Sequence, residues 1–223
     1  MNRKRSRTLS LRVWGENACF TRPEMKVERV SYDVMTPSAA RGVLEAVLWK
    51  PAIRWHIERI DVLKPIRWES VRRNEVGAVV STGLVKTAMK SNRGRLGLYI
   101  EDNRQQRAGL LLRDVAYIIH ASFEMTERAG SADNVNKFED MFLRRAEKGQ
   151  CFHRPYLGCR EFSAYFELVT GKAPLSEPID RDLGWMLHDM DYSGGEPMAR
   201  FFRASLDRGM MIVPSIDSKE VRQ

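Results

Sequence analysis

The sequence predicts an α+β fold: a split βαβ core carrying a basic insertion and a small β-rich C-terminal appendage. Three observations lead there. Apolar residues alternate with polar ones at Leu9, Leu11 and Val13, the period of a strand with one buried face. Two amphipathic helices carry start and stop signals, one over 37–49 and one from Asp133 or Asn134 to Gly149. The periodic segments run strand, helix, strand, strand, helix, strand, the ferredoxin-like order of an antiparallel sheet with two helices on one side.

The first strand is expected to stop at Gly15. Thr36 can cap the first helix through its hydroxyl, and Pro37 fits the first turn, where no backbone donor is needed. Ala40, Val43 or Leu44, Val47 and Leu48 then follow at helical spacing until Pro51. Ile53, Trp55 and Ile57, with Ile60, Val62 and Leu63 after a phase change, form the second strand. Val115, Tyr117 and Ile119 alternate within a third, which runs to Phe123. On the second helix Val135, Phe138, Met141 or Phe142 and Ala146 share a face. Phe162, Ala164 and Phe166, with Tyr165 on the other face, give the fourth strand. Residues 1–168 thus read as one domain. Residues 169–223 read as the appendage, with an alternating run Leu183, Trp185, Leu187, a helical segment near 197–207 and a last strand over 211–213.

Composition narrows the function classes. Apolar residues make up 43% of 223 and charged residues 30%, as in an ordinary globular protein. The net charge of +8 favours a polyanionic partner, most simply nucleic acid, and such a surface would also accept duplex DNA. Ten of the 37 Lys and Arg fall within 67–113, against four acidic residues. Five glycines punctuate that segment, so it reads as a flexible arm that grips phosphates. Cys19, Cys151 and Cys159 are an odd number without a CxxC pair, which argues against a disulfide framework and a zinc ribbon and fits reduced thiols in a cytoplasm. Cys151, His153 and Cys159 lack a fourth metal ligand, so no metal or other cofactor is expected. Residues 1–12 lack the apolar stretch of a signal peptide, and no run has the roughly 18 apolar residues of a membrane span.

Metal-free RNA cleavage needs a base for the 2′-hydroxyl, a cation for the phosphorane and an acid for the leaving 5′-oxygen. His153 and Tyr156, before the fourth strand, are candidates for such contacts. His56, His120 and His188 fall in expected strands and read as half-buried sheet residues. Trp14, Phe20, Tyr32 and Trp68 lie near basic residues and can stack bases or fill the core.

Five blocks carry a resemblance. The first, over 21–51, joins a loop bearing Arg22, Lys26 and Arg29 to the first helix, with Arg41 on it. The others are Arg72-Arg73-Asn74-Glu75-Val76, Asn103-Arg104-Gln105-Gln106-Arg107, Gly149-Gln150-Cys151-Phe152-His153 and Tyr156-Leu157-Gly158-Cys159-Arg160-Glu161-Phe162. In this order, over about 11–191, they resemble the fifth family of CRISPR-associated proteins, in its type I-C variant, within the RAMP superfamily. The resemblance implies an RNA-recognition-like fold and a cytoplasmic prokaryotic surveillance complex with other type I-C subunits as partners. There the protein would grip the 5′ handle of a CRISPR RNA and, in several members, cut the repeat hairpin of the precursor. The cations of these blocks, Arg22, Lys26, Arg29, Arg41, Arg72, Arg73, Arg104, Arg107 and Arg160, are the expected RNA contacts by their charge, together with Tyr156.

Type I-C relatives place a catalytic tyrosine before a Trp-Lys-Pro element and a Lys-His pair at the start of the second helix. Here those positions are Leu48, Lys137 and Phe138. Lys137 is the expected catalytic cation, and His153, Tyr156 and Tyr32 are the candidate substitutes for the missing proton carriers, with His153 taken first. A non-catalytic RNA-binding cap is one rival reading, and an unrelated basic RNA-binding protein with an RNA-recognition-like fold is another.

Overall fold

The computed structural model describes residues 5–25, 27–93, 96–192 and 195–223. The elements run β1 (Leu9–Ala18), α1 (Pro37–Val47), β2 (Ile53–Val62), β3 (Trp68–Val76), α2 (Thr82–Ser91), β4 (Arg104–Met125), α3 (Val135–Glu147), β5 (Tyr165–Leu168), β6 (Arg181–Asp191), β7 (Met198–Leu206) and β8 (Met210–Ile212). Five strands lie side by side in the order β5-β1-β4-β2-β8, β3 pairs with β4 off this path, and every pairing is antiparallel. A separate hairpin pairs β6 with β7.

Both main helices begin as the sequence dictates. Thr36 Oγ1 accepts from the Ala39 amide at 3.3 Å, with Pro37 in the first turn. Asn134 Oδ1 accepts from the Lys137 amide at 3.0 Å, and Gly149 follows α3 with φ +62°. Val43, Leu44 and Val47 of α1 and Phe138 and Phe142 of α3 share one core with Leu11, Val13, Trp55, Tyr117, Ile119 and Phe123 of the sheet. Trp55 packs at 5.3 Å from Phe123 and 4.9 Å from Phe142, and Phe123 meets Phe138 edge-on at 6.5 Å. The phase change in β2 is a bulge between Ile57 and Arg59.

Four expectations are corrected. β1 does not stop at Gly15 but continues to Ala18. The glycine serves packing there, since a Cβ would come within 2.7 Å of Leu157 Cδ1. Nor is the basic segment an irregular arm. Its flanks are β3 and the first part of β4, in continuous register from Trp68↔Leu112 to Val76↔Arg104, with α2 in the connection. The 197–207 segment is strand β7, because Phe202, Ala204 and Leu206 are buried at period two against β6. In β6 a register shift between Asp182 and Gly184 turns Trp185 outward and buries Met186 instead. The expected last strand exists as β8, and it pairs with β2 in the main sheet. Among the described residues no helix is long and apolar enough to cross a membrane.

Candidate nucleic-acid interface

Blocks far apart in sequence meet at the base of the β3–β4 hairpin. The loop before α1 is laid along β4: the Ser31 amide donates to Leu110 O at 3.0 Å, and the Leu110 amide to Arg29 O at 2.8 Å. From the other side, the Cys19 amide donates to Leu157 O at 3.0 Å. That approach explains Gly158. Its φ is +83°, and a Cβ would stand 2.0 Å from Cys19 O. The turn so fixed presents Glu161, which ion-pairs with Arg73 and with Arg29, the latter at 3.5 Å. Val27, Arg29, Arg73, Glu75, Arg107 and Glu161 line a shallow groove there.

Strand alternation divides the four hairpin arginines. Arg73 faces Arg107 across the ladder, on the groove side, whereas Arg72 and Arg104 belong to the opposite face. Arg107 is tied to Glu75 at 3.1 Å, while Arg72, Arg104 and Arg160 are exposed. Arg22 bonds Asp33 at 3.2 Å and lies 4.5 Å from the Tyr32 ring centroid. Arg41 grips Asp189 of β6 through two nitrogens, at 2.7 and 2.8 Å, and also Glu45. It would have to surrender those partners to reach a phosphate. Lys26 lies outside the described residues. Phe20 and Tyr32 are core, leaving Trp14 and Trp68 as accessible rings.

Lys137 occupies the first turn of α3, its side chain 45% exposed and its Nζ 2.8 Å from Asp133 Oδ1. The Lys137 hydrogen bond holds the Asp133 carboxyl below its ordinary range, and Lys50 of the Trp49-Lys50-Pro51 element adds to the effect. The half-buried Asp133 carboxylate thus has one ammonium bonded to it and feels the charge of a second. The neighbouring positions supply no proton carrier: Leu48 is fully buried, and Phe138 belongs to the aromatic core. His153 is exposed beyond the other end of α3, 6.3 Å from the half-buried Tyr156 ring. Lys137 and Glu147 alone are separated by about 15 Å of helix. No hydrogen bond or ring contact joins Lys137 to His153.

The other histidines lie in strands and have partners. His56 contacts Glu124 at 3.0 Å, and His188 Nε2 meets Pro214 O at 2.8 Å, with burial pushing its pKa down. His120 bridges Ser10 at Nδ1 and Asp61 at Nε2, both at 2.8 Å. Burial works against the Asp61 carboxylate, yet hydrogen bonds from His120 and Arg59 hold its pKa low. Asp182, Asp189 and Asp191 pair with Arg203, Arg41 and Arg200. Among the described residues no group of three His, Cys, Asp or Glu side chains could hold a metal ion.

Sequence reasoning missed Glu161 as an organiser of the arginines and Lys50 as the neighbour of Asp133. Neither has a local signal, since both act through contacts distant in the chain.

A family model for the CRISPR-associated protein Cas5, Cas5d type, matches residues 8–214. The chain belongs to this Cas5d family. It is 54% identical over 223 residues to the CRISPR pre-crRNA endoribonuclease Cas5d of Mannheimia succiniciproducens, covering 96% of this chain and 98% of that protein. It is 45% identical over 197 residues to the protein of the same name from Thermus thermophilus, covering 87% and 79%. A crystal structure of a CRISPR-associated protein superposes over the full length of both chains with a TM-score of 0.71 at 22% identity. A functionally uncharacterized protein of Streptococcus mutans, also matched in full, gives 0.69 at 21%. A chain of a CRISPR RNA-guided surveillance complex gives 0.51 at 12%, covering 94% and 90%. At these identities the likenesses establish the shared fold.

Proposed function

We propose that the chain is a pre-crRNA endoribonuclease that remains in a type I-C surveillance complex, holding the 5′ handle of the RNA it has cut. The observation that carries this reading is the near full-length 54% identity to a relative named for that activity. The strand order β5-β1-β4-β2 around two helices supports a ferredoxin-like, RNA-recognition-like core. The net charge of +8 suits an RNA partner, other Cas subunits complete the complex, and the setting is a prokaryotic cytoplasm.

Cleavage needs no metal in this reading. A base removes the 2′-hydroxyl proton, the oxygen attacks its own phosphorus, and the 5′-oxygen leaves protonated, giving a 2′,3′-cyclic phosphate. Lys137, released from Asp133, stabilises the phosphorane. Asp133 is a poor base near neutrality because its carboxyl is held low. His153 is the proton carrier this chain offers, and the RNA must bridge it to Lys137 or use it at a separate centre.

One observation favours a second reading, a non-catalytic cap. Leu48 and Phe138 are buried apolar side chains at positions where relatives place titratable ones. Incubating the protein with a repeat-hairpin RNA in EDTA separates the two. Product ending in a 2′,3′-cyclic phosphate supports the enzyme, and a shifted but intact RNA supports the cap.

A further inference from the structure

The sheet face turned away from α1 and α3 carries Ser10, Arg12 and Trp14 of β1, alternating with the buried Leu9, Leu11 and Val13. Trp14 is paired in register with Tyr165 of β5. Their rings stack at 5.8 Å between centroids with 20° between planes. A guanidinium lies over each ring, Arg12 at 4.9 Å from the Trp14 centroid and Arg154 at 4.8 Å from that of Tyr165. Arg154 comes from the segment that also holds His153 and Tyr156, whose rings lie 6.3 Å apart.

Packing does not account for this ladder. Tyr165 is 52% exposed, on a strand of only four residues. Arg12 is paired through one terminal nitrogen with Glu167 at 2.7 Å, while its Nε is screened from solvent without a partner. Two stacked rings flanked by two guanidiniums, at the β1–β5 edge of the sheet in a basic protein, form a surface for flat ligands with attached phosphates. We propose that Trp14 and Tyr165 form a stacking site for an unpaired RNA base, with Arg12 and Arg154 moving from the rings to the flanking phosphates. This inference rests on the RNA-binding reading above and adds to it a position and a kind of nucleotide. A base that replaces a guanidinium keeps the ring face covered and frees the cation for the backbone. Recognition is then by stacking and tolerates any base, because each has a π-face.

The test uses the full chain and single-stranded RNA carrying 5-bromouridine, cross-linked by ultraviolet light and mapped by mass spectrometry. Cross-links in the peptides holding Trp14 or Tyr165 are expected. In parallel, Trp14→Ala and Tyr165→Ala should each weaken binding of unlabelled single-stranded RNA about 10-fold or more, with the slope of affinity against salt unchanged. Trp14→Phe and Tyr165→Phe should stay within about threefold, and a thermal melt checks that each variant folds. If wild type binds RNA but cross-links only elsewhere, or if folded alanine variants bind as wild type does, the stacking site is wrong and the RNA-binding reading stands. If wild type binds neither the single strand nor a repeat hairpin, both fall.

Discussion

Arg73 on β3 and Glu161, 88 residues further along the chain, form an ion pair that pins the basic hairpin to the turn before β5. The same carboxylate holds Arg29, so two cations of the groove are partly neutralised by one side chain. An anionic ligand entering the groove must compete with Glu161. Glu161→Gln removes the competitor and should tighten RNA binding at low salt by about 3-fold or more, with a steeper salt dependence. Arg73→Ala should weaken binding and flatten the slope by roughly one unit. Because alternation splits the arginines, Arg73→Ala/Arg107→Ala and Arg72→Ala/Arg104→Ala test opposite faces of the hairpin. Anisotropy titrations from low to high salt distinguish them, and equal losses would mean that RNA wraps both faces.

Gly158 makes the turn that carries Glu161 possible. Gly158→Ala would force a side chain to φ +83° and place its Cβ against Cys19 O. The conformation alone costs about 1–3 kcal/mol, and the backbone contact must relax as well. The melting temperature should fall by about 5 °C or more in a domain of this size. Gly149→Ala is the control. That position has φ +62° but nothing within 4 Å of the added Cβ, so only the conformational cost remains, about 1–2 kcal/mol. Equal melting of the two variants would show that the Cys19–Gly158 approach is not fixed in solution.

Cys159 supplies a pH-dependent probe of the same region. The Cys159 thiol donates to Cys19 O at 3.5 Å, and its pKa is held down to about 6 chiefly by the Cys19 side chain, with Thr21 and Arg29 assisting against its burial. Cys19 is correspondingly pushed up and stays protonated. Because the thiolate is the reactive species, alkylation of Cys159 should rise through about pH 6 and level off by neutrality. Cys19→Ala removes the neighbouring thiol and should move that rise to higher pH. Quantitative mass spectrometry of the Cys159 peptide provides the measurement. Bound RNA should slow the reaction if the loop beside Arg29 is part of the interface.

The fold was legible where one face is buried and the period is clean. Leu9, Leu11 and Val13 announce β1, and Thr36-Pro37 and Asn134 announce the helices. β3 was not legible, because none of its residues is buried and its evidence is its pairing with β4. β7 was legible in principle through Phe202, Ala204 and Leu206, but Pro197 ahead of the run suits the first turn of a helix equally well. For the site, charge located the groove arginines without their partners. Arg41 sits on the expected helix four residues before Glu45, yet its other carboxylate, Asp189, is 148 residues away, and no local pattern encodes that contact.

Whether the chain cuts RNA turns on Lys137. Its Nζ is exposed and held by Asp133, so the cation is present and can be released. Lys137→Ala should slow cleavage by about 10²-fold or more, as for a lost charge-stabilising donor. RNA affinity should fall far less, since one phosphate contact among many is removed. Asp133→Asn frees the ammonium and should leave cleavage equal or faster. Restoring the groups that relatives carry, by Leu48→Tyr and Phe138→His, is a stringent test because both side chains are in the core. The imidazole would replace a ring packed on Phe123 and should cost about 2–4 kcal/mol, so melting must be followed alongside rate. A folded double variant that cleaves faster would mean that a competent site geometry persists around Lys137. Cleavage indifferent to Lys137 would shift the centre to His153, where His153→Ala should then abolish it. Absence of product from wild type and from the folded double variant, with RNA still bound, would establish the cap.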